Sequence, residues 1–174
     1  NRDFMKIKFK MAFMAFGCAT VFSLSRCLPE PNLPDNPLIE FQSFELNADG
    51  SRELVIAFTD GDGDVGLAQN DTLAPNFCAD CEYHYNLKCE YQELQNGTWV
   101  QIDLDPAAGQ IPFYYRVPPA TPTGDNPALD GTIAIAMNSW SLASAYDSLR
   151  FRITLFDRSL NESNEAFTNL VLKP

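Results

Sequence analysis

The chain has 174 residues, a formal net charge of −11 and 45% hydrophobic residues, and it is rich in phenylalanine and tyrosine. From residue 28 onward, 7 basic residues stand against 22 acidic ones, a balance of −15. A body this acidic repels nucleic acid and anionic membrane surfaces, and it suits cations or a partner with a basic face. About 147 residues follow Cys27, which is enough for one domain with a core.

The N-terminal stretch has the pattern of a targeting segment. Three lysines precede the mostly apolar residues 11–22. A basic region followed by a short apolar run predicts a secretory signal peptide over residues 1–26. The apolar run is shorter than the roughly 20 residues that a membrane-spanning helix needs.

Residues 24–27 (LSRC) follow the apolar run and resemble a bacterial lipobox. This match predicts that Cys27 is lipidated and becomes the mature N-terminus. Arg26 departs from the pattern, because a small residue is expected directly before the cysteine. Ordinary signal cleavage, with Cys27 as a bystander, is the alternative.

A proline-rich stretch comes next, with four prolines in residues 28–37. Such a stretch forms a stiff, extended spacer. The predicted organisation is a lipoprotein signal peptide over 1–26, a lipidated cysteine with its tether over 27–37, and a β-sandwich domain over 38–174. Such a protein is anchored in the bacterial outer membrane, on its periplasmic or cell-surface side. A freely secreted protein is the alternative.

Alternating apolar residues and turn signals predict an all-β domain of about eight strands. The predicted strands lie at residues 38–46, 53–59, 82–95, 98–104, 112–117, 131–137, 148–156 and 166–172. One helical turn is predicted over 139–145, and an irregular loop over 118–130. The pattern favours an antiparallel, immunoglobulin-like β-sandwich, with a β-barrel as the alternative.

An acidic loop follows the second predicted strand. Asp60, Asp62 and Asp64 alternate with glycines and occupy positions 1, 3 and 5 of a calcium-loop pattern, with Asp71 at position 12. Val65 stands where an EF-hand needs glycine, position 12 is not glutamate, and no helices flank the loop. The sequence therefore predicts a calcium-type loop on a β scaffold rather than an EF-hand. A solvated acidic turn is the alternative.

A second polar segment, residues 156–164, follows the strand predicted at 148–156. Loops from different strands gather at the ends of a sandwich, so Asp157 and Asn161 are predicted to join the acidic loop as oxygen ligands, with Asn164 as a further donor. Two alternatives stay open. Arg158 could pair with one of the aspartates and replace the cation, or the segment could be a turn held by its own hydrogen bonds.

The cysteines near the third strand have zinc-like spacing, since Cys78, Cys81, His84 and Cys89 form C-x2-C-x2-H-x4-C. An exported protein meets oxidising conditions, where a disulfide is the default. We therefore expect one disulfide among the three cysteines, from Cys78 to Cys81 or to Cys89, and we disfavour zinc.

Catalytic motifs are not evident, and the chain is predicted not to be an enzyme. It has one histidine, no glycine-rich phosphate loop, and many carboxylates of which none is singled out. Trp99, Trp140, Tyr114 and Tyr115 could line a sugar-binding surface. They support the alternative function, a carbohydrate-binding module or a weakly glycan-active protein.

Four segments occur together and in a fixed order: residues 54–66 (LVIAFTDGDGDVG), 82–87 (EYHYNL), 112–118 (PFYYRVP) and 157–164 (DRSLNESN). In this combination the chain resembles a group of uncharacterised lipoproteins of the Bacteroidetes, which carry an FTDGDGDIG-like loop and a terminal DRxxNxSN segment. The resemblance implies a lipid-anchored β domain in the periplasm or at the cell surface, and it implies no activity.

The same resemblance bears on modification, whereas the tether, the acidic body and the lack of a catalytic set are the basis for the predicted function. Residues 71–73 and 147–149 match the Asp-Ser/Thr-hydrophobic O-glycosylation signal of that phylum, and Thr72 is the predicted site. The predicted function is a non-enzymatic accessory subunit or binding module of a larger surface assembly, stabilised by calcium. Its predicted partners are the membrane, through the lipid anchor, and another envelope protein, with no nucleic acid.

Overall fold

A computed structural model describes residues 33–120 and 127–173 of the chain. The predicted signal peptide over 1–26 and the predicted lipidation site Cys27 lie outside the described residues. Within the described ranges, the structure contains no helix that is long and apolar enough to cross a membrane.

In the described part of the chain, nine antiparallel strands form two sheets. The first sheet has the order β1-β2-β6, and the second has the order β4-β3-β7-β8, with β5 paired to β3 and β9 paired to β7. The strands are β1 (Leu38–Leu46), β2 (Arg52–Asp60), β3 (Leu87–Gln95), β4 (Thr98–Gln101), β5 (Tyr114–Tyr115), β6 (Leu129–Met137), β7 (Ser148–Leu155), β8 (Ala166–Phe167) and β9 (Val171–Leu172).

The core lies between the two sheets, as the alternation in the sequence requires. In β2 the inward positions Leu54, Ile56 and Phe58 are buried, while the residues between them are more exposed. Phe44 of the first sheet meets Phe151 of the second edge-to-face, with ring centroids 5.5 Å apart. Two sheets that bury their facing side chains in this way form a β-sandwich.

The described strands form two separate sheets rather than one closed sheet, so the sandwich prediction is confirmed and its closed alternative is wrong. The first, second and sixth strands share one sheet, and the third and seventh strands are central in the other. The long β2–β3 and β7–β8 connections leave the sandwich at the same end, which we call the acidic end, because Val65 of the first forms an antiparallel bridge with Asp157 of the second. The register supports this, because Leu87 at the start of β3 pairs with Leu155 at the end of β7.

Two predicted elements are wrong in detail. The third strand begins at Leu87 instead of residue 82, because the preceding residues form turns in which the Tyr83 N–H donates to the Asn76 carbonyl. Residues 139–145 contain no helical turn. Trp140 is buried there, and its indole N–H donates to the Gly50 carbonyl, 3.0 Å away. A tertiary contact has thus overridden the local preference.

The last predicted strand, over 166–172, is split into β8 and β9, which both pair with β7. Thr168 lies between them. Its hydroxyl accepts from the Phe151 N–H at 3.0 Å, and its own N–H donates to the Phe151 carbonyl at 3.0 Å. The side chain thus replaces one backbone rung at the interruption. A short 3₁₀ turn at Pro106–Ala108, which the sequence analysis does not predict, follows β4.

Candidate metal centre

Asp60 is the last residue of β2 and follows the inward alternation of that strand. It continues the face of Leu54, Ile56 and Phe58, so the carboxylate is placed at the end of the core and is fully buried. Its Oδ2 atom accepts from the backbone N–H groups of Asp64 at 2.8 Å and Val65 at 3.1 Å. Its Oδ1 atom is buried and has no hydrogen-bond partner.

The loop after Asp60 returns to it through a left-handed turn. Gly63 has φ +72°, a conformation that glycine adopts without steric cost. The turn brings Asp64 back beside Asp60. The Asp64 Oδ2 atom accepts from the Ser159 hydroxyl at 2.7 Å, while its Oδ1 atom is buried without a partner.

Asp157 comes from the other loop, directly after β7. An isolated antiparallel bridge joins it to Val65, and the Arg158 N–H donates to the Asp64 carbonyl at 3.3 Å. The Asp157 side chain is 1% exposed. Its two oxygens accept from the Asn161 backbone N–H at 2.7 Å and from the Asn161 side-chain amide at 2.8 Å.

These loops bring four carboxylates together. Asp60, Asp62, Asp64 and Asp157 each offer one oxygen, and these oxygens all lie within 4.8 Å of one another. We call this set the four-aspartate cluster. Two of its members are buried, Asp64 is half-buried and Asp62 is exposed, so the cluster opens to solvent on one side.

Burial and mutual repulsion make the ionised cluster unfavourable by itself. Burial raises the pKa of Asp60 to about 6, and the charges of Asp62 and Asp64 add to this, against the hydrogen bonds from the Val65 and Asp64 N–H groups. Burial also raises the pKa of Asp157, although its hydrogen bonds to Asn161 oppose the shift. At neutral pH the folded chain therefore holds several negative charges close together, and a bound cation would reduce their repulsion.

The donor set fits a hard divalent cation. Carboxylate oxygens are the ligands of Ca²⁺, which accepts six to eight oxygens in a flexible geometry. A buried carboxylate oxygen without a hydrogen bond carries a desolvation penalty, and metal coordination removes that penalty. The unpaired Oδ1 atoms of Asp60 and Asp64 are the atoms that such an ion would use.

Two further predicted ligands, Asp71 and Asn161, make other contacts in the structure. The Asp71 Oδ2 atom accepts from the Ala68 N–H at 2.7 Å and pairs with the Arg158 guanidinium. Asn161 donates its side-chain amide to Asp157, so it orients a carboxylate of the cluster. Asp71 therefore lies outside the four-carboxylate group, whereas Asn161 lies beside it and its role as a ligand stays a prediction.

Arg158 does not replace a cation in the cluster. Its guanidinium pairs with Asp71, and its side chain is 45% exposed. Asn164, the further donor considered from sequence, is also used elsewhere. Its side-chain amide accepts from the Ile39 N–H at 2.9 Å and donates to the Ile39 carbonyl at 3.0 Å. Asn164 therefore attaches the β7–β8 connection to the start of β1.

Residues 33–35 also contact the acidic loop, which was not predicted from the sequence. The Gly61 N–H, between two aspartates of the cluster, donates to the Pro34 carbonyl at 2.8 Å. Burial raises the pKa of Asp62, and the charges of Asp64 and Asp35 add to it. The glycine at position 61 could have indicated a close contact with another backbone segment, because glycine in a loop often allows such an approach. The sequence does not indicate which segment makes that contact.

The structure does not assemble Cys78, Cys81, His84 and Cys89 into a zinc site. Cys78 and Cys81 are joined in a disulfide, and Cys89 is a buried free thiol on β3. The Nδ1 atom of His84 lies 3.2 Å from the Phe77 carbonyl oxygen. The sulfur atoms of Cys78 and Cys81 are therefore used in the disulfide, and the Cys89 thiol is buried in the core.

The long β2–β3 connection also carries Thr72, the predicted glycosylation site. Thr72 is exposed, and its N–H donates to the Asn70 carbonyl at 2.9 Å. Arg116 attaches this connection to the domain, because its guanidinium donates to the carbonyls of Ala68 and His84, both at 2.8 Å. The connection is thus held in place although it is long.

The four aromatic residues considered for sugar binding do not share one exposed surface. Trp140 is 6% exposed and packs edge-to-face on Phe44, with centroids 6.3 Å apart. Trp99 packs against the Arg150 guanidinium, 4.4 Å from the ring centroid. Tyr114 and Tyr115 are half-buried in β5.

A third buried carboxylate lies toward the other end of the sandwich. Glu93 is 2% exposed, and it pairs in register with Leu149, at the start of β7. Lys173 donates to the Glu93 Oε1 atom at 2.8 Å and to the Ser144 hydroxyl at 2.7 Å. Ser144 and Tyr91 also donate to Glu93.

The Ser144–Lys173 contact is not arranged for nucleophilic catalysis. A lysine that activates a serine must be neutral. Burial alone would lower the pKa of Lys173, but hydrogen bonds to Glu93 and Tyr91 outweigh it and hold the pKa above its usual value. Lys173 is therefore the fixed counter-charge of Glu93.

Comparisons with known proteins add no relative. No protein-family model, curated protein or solved structure matches the chain.

Proposed function

We propose that this chain is a lipid-anchored envelope protein with a non-enzymatic role, an accessory subunit or binding module of a larger surface assembly, whose β-sandwich is stabilised by Ca²⁺ at its acidic end. The lipobox-like residues 24–27 and the proline-rich tether support the anchor. Anchoring on the periplasmic or cell-surface side of an outer membrane would expose the domain to external calcium.

The observation that carries the calcium part is the unpaired, fully buried Oδ1 atom of Asp60. Asp60 already uses its other oxygen to accept two backbone N–H groups. It sits among three further carboxylates whose oxygens are within 4.8 Å. A divalent cation satisfies the unpaired oxygen and neutralises part of the repulsion.

The arrangement favours a structural ion over a catalytic one. The cluster joins two loops that leave the same end of the sandwich, so an ion there fixes their relative position. Ion binding to the folded state alone stabilises that state by mass action. The surface formed by the two loops is then the place where a partner would bind.

The calcium part is tested by thermal melting of the chelator-treated protein with and without millimolar CaCl₂. We expect the melting temperature to rise with CaCl₂ and to rise much less with the same concentration of MgCl₂, because Mg²⁺ demands a stricter octahedral geometry. An unchanged melting temperature in CaCl₂ would remove the ion from the proposal.

The anchor and the assembly role need a separate experiment. The full chain and its Cys27→Ser variant are expressed with a C-terminal tag, and membranes are solubilised in mild detergent. We expect the unaltered chain in the membrane fraction with a co-purifying envelope protein, and the variant in the soluble fraction. Recovery of a monomer alone from the membranes would contradict the assembly role.

No specific observation favours the carbohydrate-binding alternative. Its four aromatic residues are dispersed, and Trp140 is buried. A glycan array with the purified chain would revive that alternative if it gave reproducible binding.

A further inference from the structure

We infer that cation binding at the four-aspartate cluster is coupled to docking of the tether root, residues 33–37, so that Ca²⁺ fixes the way in which the chain enters the sandwich. This inference rests on the proposed function, because it requires the cluster to bind the cation. It goes further by assigning the ion an effect on a segment that supplies none of the four carboxylates.

The first argument is a direct backbone contact between the tether root and the metal loop. Gly61 lies between Asp60 and Asp62, and its N–H donates to the Pro34 carbonyl at 2.8 Å. A Cβ atom on Gly61 would lie 2.3 Å from the Leu33 carbonyl oxygen and 2.7 Å from the Pro34 carbonyl oxygen. No side chain fits between the two segments, so a displacement of either segment changes the contacts of the other.

The second argument is electrostatic. Asp35 is exposed, carries a negative charge, and follows Pro34, whose carbonyl accepts the hydrogen bond from the acidic loop. Without a cation, the acidic loop therefore repels the tether root that it contacts. A divalent ion reduces the negative charge of the four carboxylates that Asp35 faces, so it weakens this repulsion and favours docking.

The β7–β8 connection, which supplies Asp157 to the cluster, also contacts the segment through which the chain enters β1. Asp157 and Asn164 lie in one connection, and Asn164 makes two hydrogen bonds to the backbone of Ile39, near the start of β1. Pro37, two residues earlier, is buried. Residues 33–37 belong to the same compact unit as the strands. The entry of the chain is thus held from both loops that form the cluster.

The reporter of docking is the amide of residue 61, because its hydrogen-bond acceptor, Pro34, belongs to the tether root. Its exchange with solvent is followed by NMR in the full chain, with chelator and with saturating CaCl₂. The Gly50 amide, bonded to the Asn47 carbonyl in the β1–β2 turn, serves as the internal reference. We expect Ca²⁺ to slow exchange at Gly61 at least about fivefold more than at Gly50, a typical size for coupled sites.

The matched variant is Gly61→Ala, which leaves every carboxylate in place but directs a methyl group at the two tether carbonyls. Its control is Gly131→Ala, where the nearest atom to the new methyl group is Phe58 Cε1, at 3.3 Å. Because coupling is reciprocal, we expect Gly61→Ala to weaken Ca²⁺ binding at least about fivefold by calorimetry, with Gly131→Ala close to the unaltered chain.

The outcomes separate the inference from the proposed function. If calorimetry shows Ca²⁺ binding while exchange at Gly61 follows that at Gly50, the coupling is refuted and the metal site stands. If calorimetry shows no binding, both are refuted. Should Gly61→Ala fail to fold, the exchange measurement on the unaltered chain decides the question.

Discussion

Among the described residues, the sandwich buries carboxylates at two places, and their surroundings differ. Toward one end, Glu93 receives hydrogen bonds from Lys173, Ser144 and Tyr91. At the acidic end, Asp60 keeps one oxygen unpaired beside three further carboxylates. The first group carries its own positive charge, and the second has none among its members. We therefore expect ligand binding at the acidic end, where the buried carboxylates have no counter-charge, and not at Glu93.

The largest expected effect comes from breaking the self-contained group. Lys173→Met leaves Glu93 buried without its cation, and we expect the free energy of unfolding to fall by about 3–5 kcal/mol, as for other broken buried pairs. Urea denaturation measures this loss. The double variant Lys173→Met with Glu93→Leu removes both charges and should recover most of the stability. If the Lys173→Met variant is as stable as the unaltered chain, Lys173 is not the counter-charge that stabilises buried Glu93.

The next effect is the response of the acidic end to Ca²⁺. At a Ca²⁺ concentration 100 times the dissociation constant, the folded state gains about 2.7 kcal/mol. Asp60→Asn removes one charge and should abolish this gain, while in chelator it should leave stability unchanged or slightly higher, because a buried charge is lost. Thermal melting in both buffers measures the two effects. The account fails at this point if Asp60→Asn keeps the full Ca²⁺ response.

A smaller effect is the pH dependence of stability that comes from the Glu93–Lys173 pair. Burial raises the pKa of Glu93, but hydrogen bonds from Lys173 and Ser144 outweigh burial and hold it below its usual 4.5. The pair therefore stabilises the fold fully above about pH 4.5, and this contribution is lost as pH falls through the folded pKa. The raised pKa of Lys173 makes its contribution fully present below pH 10.5 and lost only above that.

The measurement is urea denaturation of the unaltered chain and of Glu93→Gln between pH 3 and 7. The stability difference between the two should shrink as the pH falls below 4.5 and should stay constant from pH 5 to 7. A difference that grows on acidification would contradict the assignment of Glu93 as an ionised partner.

The smallest expected effect concerns Arg158, the nearest candidate for an internal cation at the acidic end. Its pair with Asp71 is partly exposed, and such pairs contribute about 0–1 kcal/mol. Arg158→Ala should therefore change stability by less than about 1 kcal/mol and should leave Ca²⁺ binding in place or slightly tighter. Loss of Ca²⁺ binding in this variant would mean that the arginine organises the cluster.

The sequence predicted the strands and the acidic end well, for physical reasons. Alternation in β2 and β7 marks inward faces directly, and it places Asp60 on the face of Phe58. The assumption that sandwich loops converge predicted that Asp157 meets the acidic loop, and the structure places the two together. These are consequences of strand period and chain direction, which a sequence contains.

Contacts between distant segments could not be predicted in the same way. Asp71 fits position 12 of a calcium loop by spacing, but Arg158, 87 residues away, holds it outside the cluster. No local sequence pattern predicts the Glu93–Lys173 pair, whose residues are 80 apart, or the Pro34–Gly61 hydrogen bond. A carboxylate looks the same in sequence whether a lysine or a metal ion balances it.

The most direct test is isothermal titration calorimetry of CaCl₂ into the chelator-treated full chain, with the variant Asp60→Asn, Asp64→Asn as control. This variant converts the two carboxylates that have unpaired oxygens. The account predicts one high-affinity Ca²⁺ per unaltered chain and none in the variant. Absence of binding to the unaltered chain, or equal binding to both proteins, would contradict the claim that the acidic end is built to receive a cation.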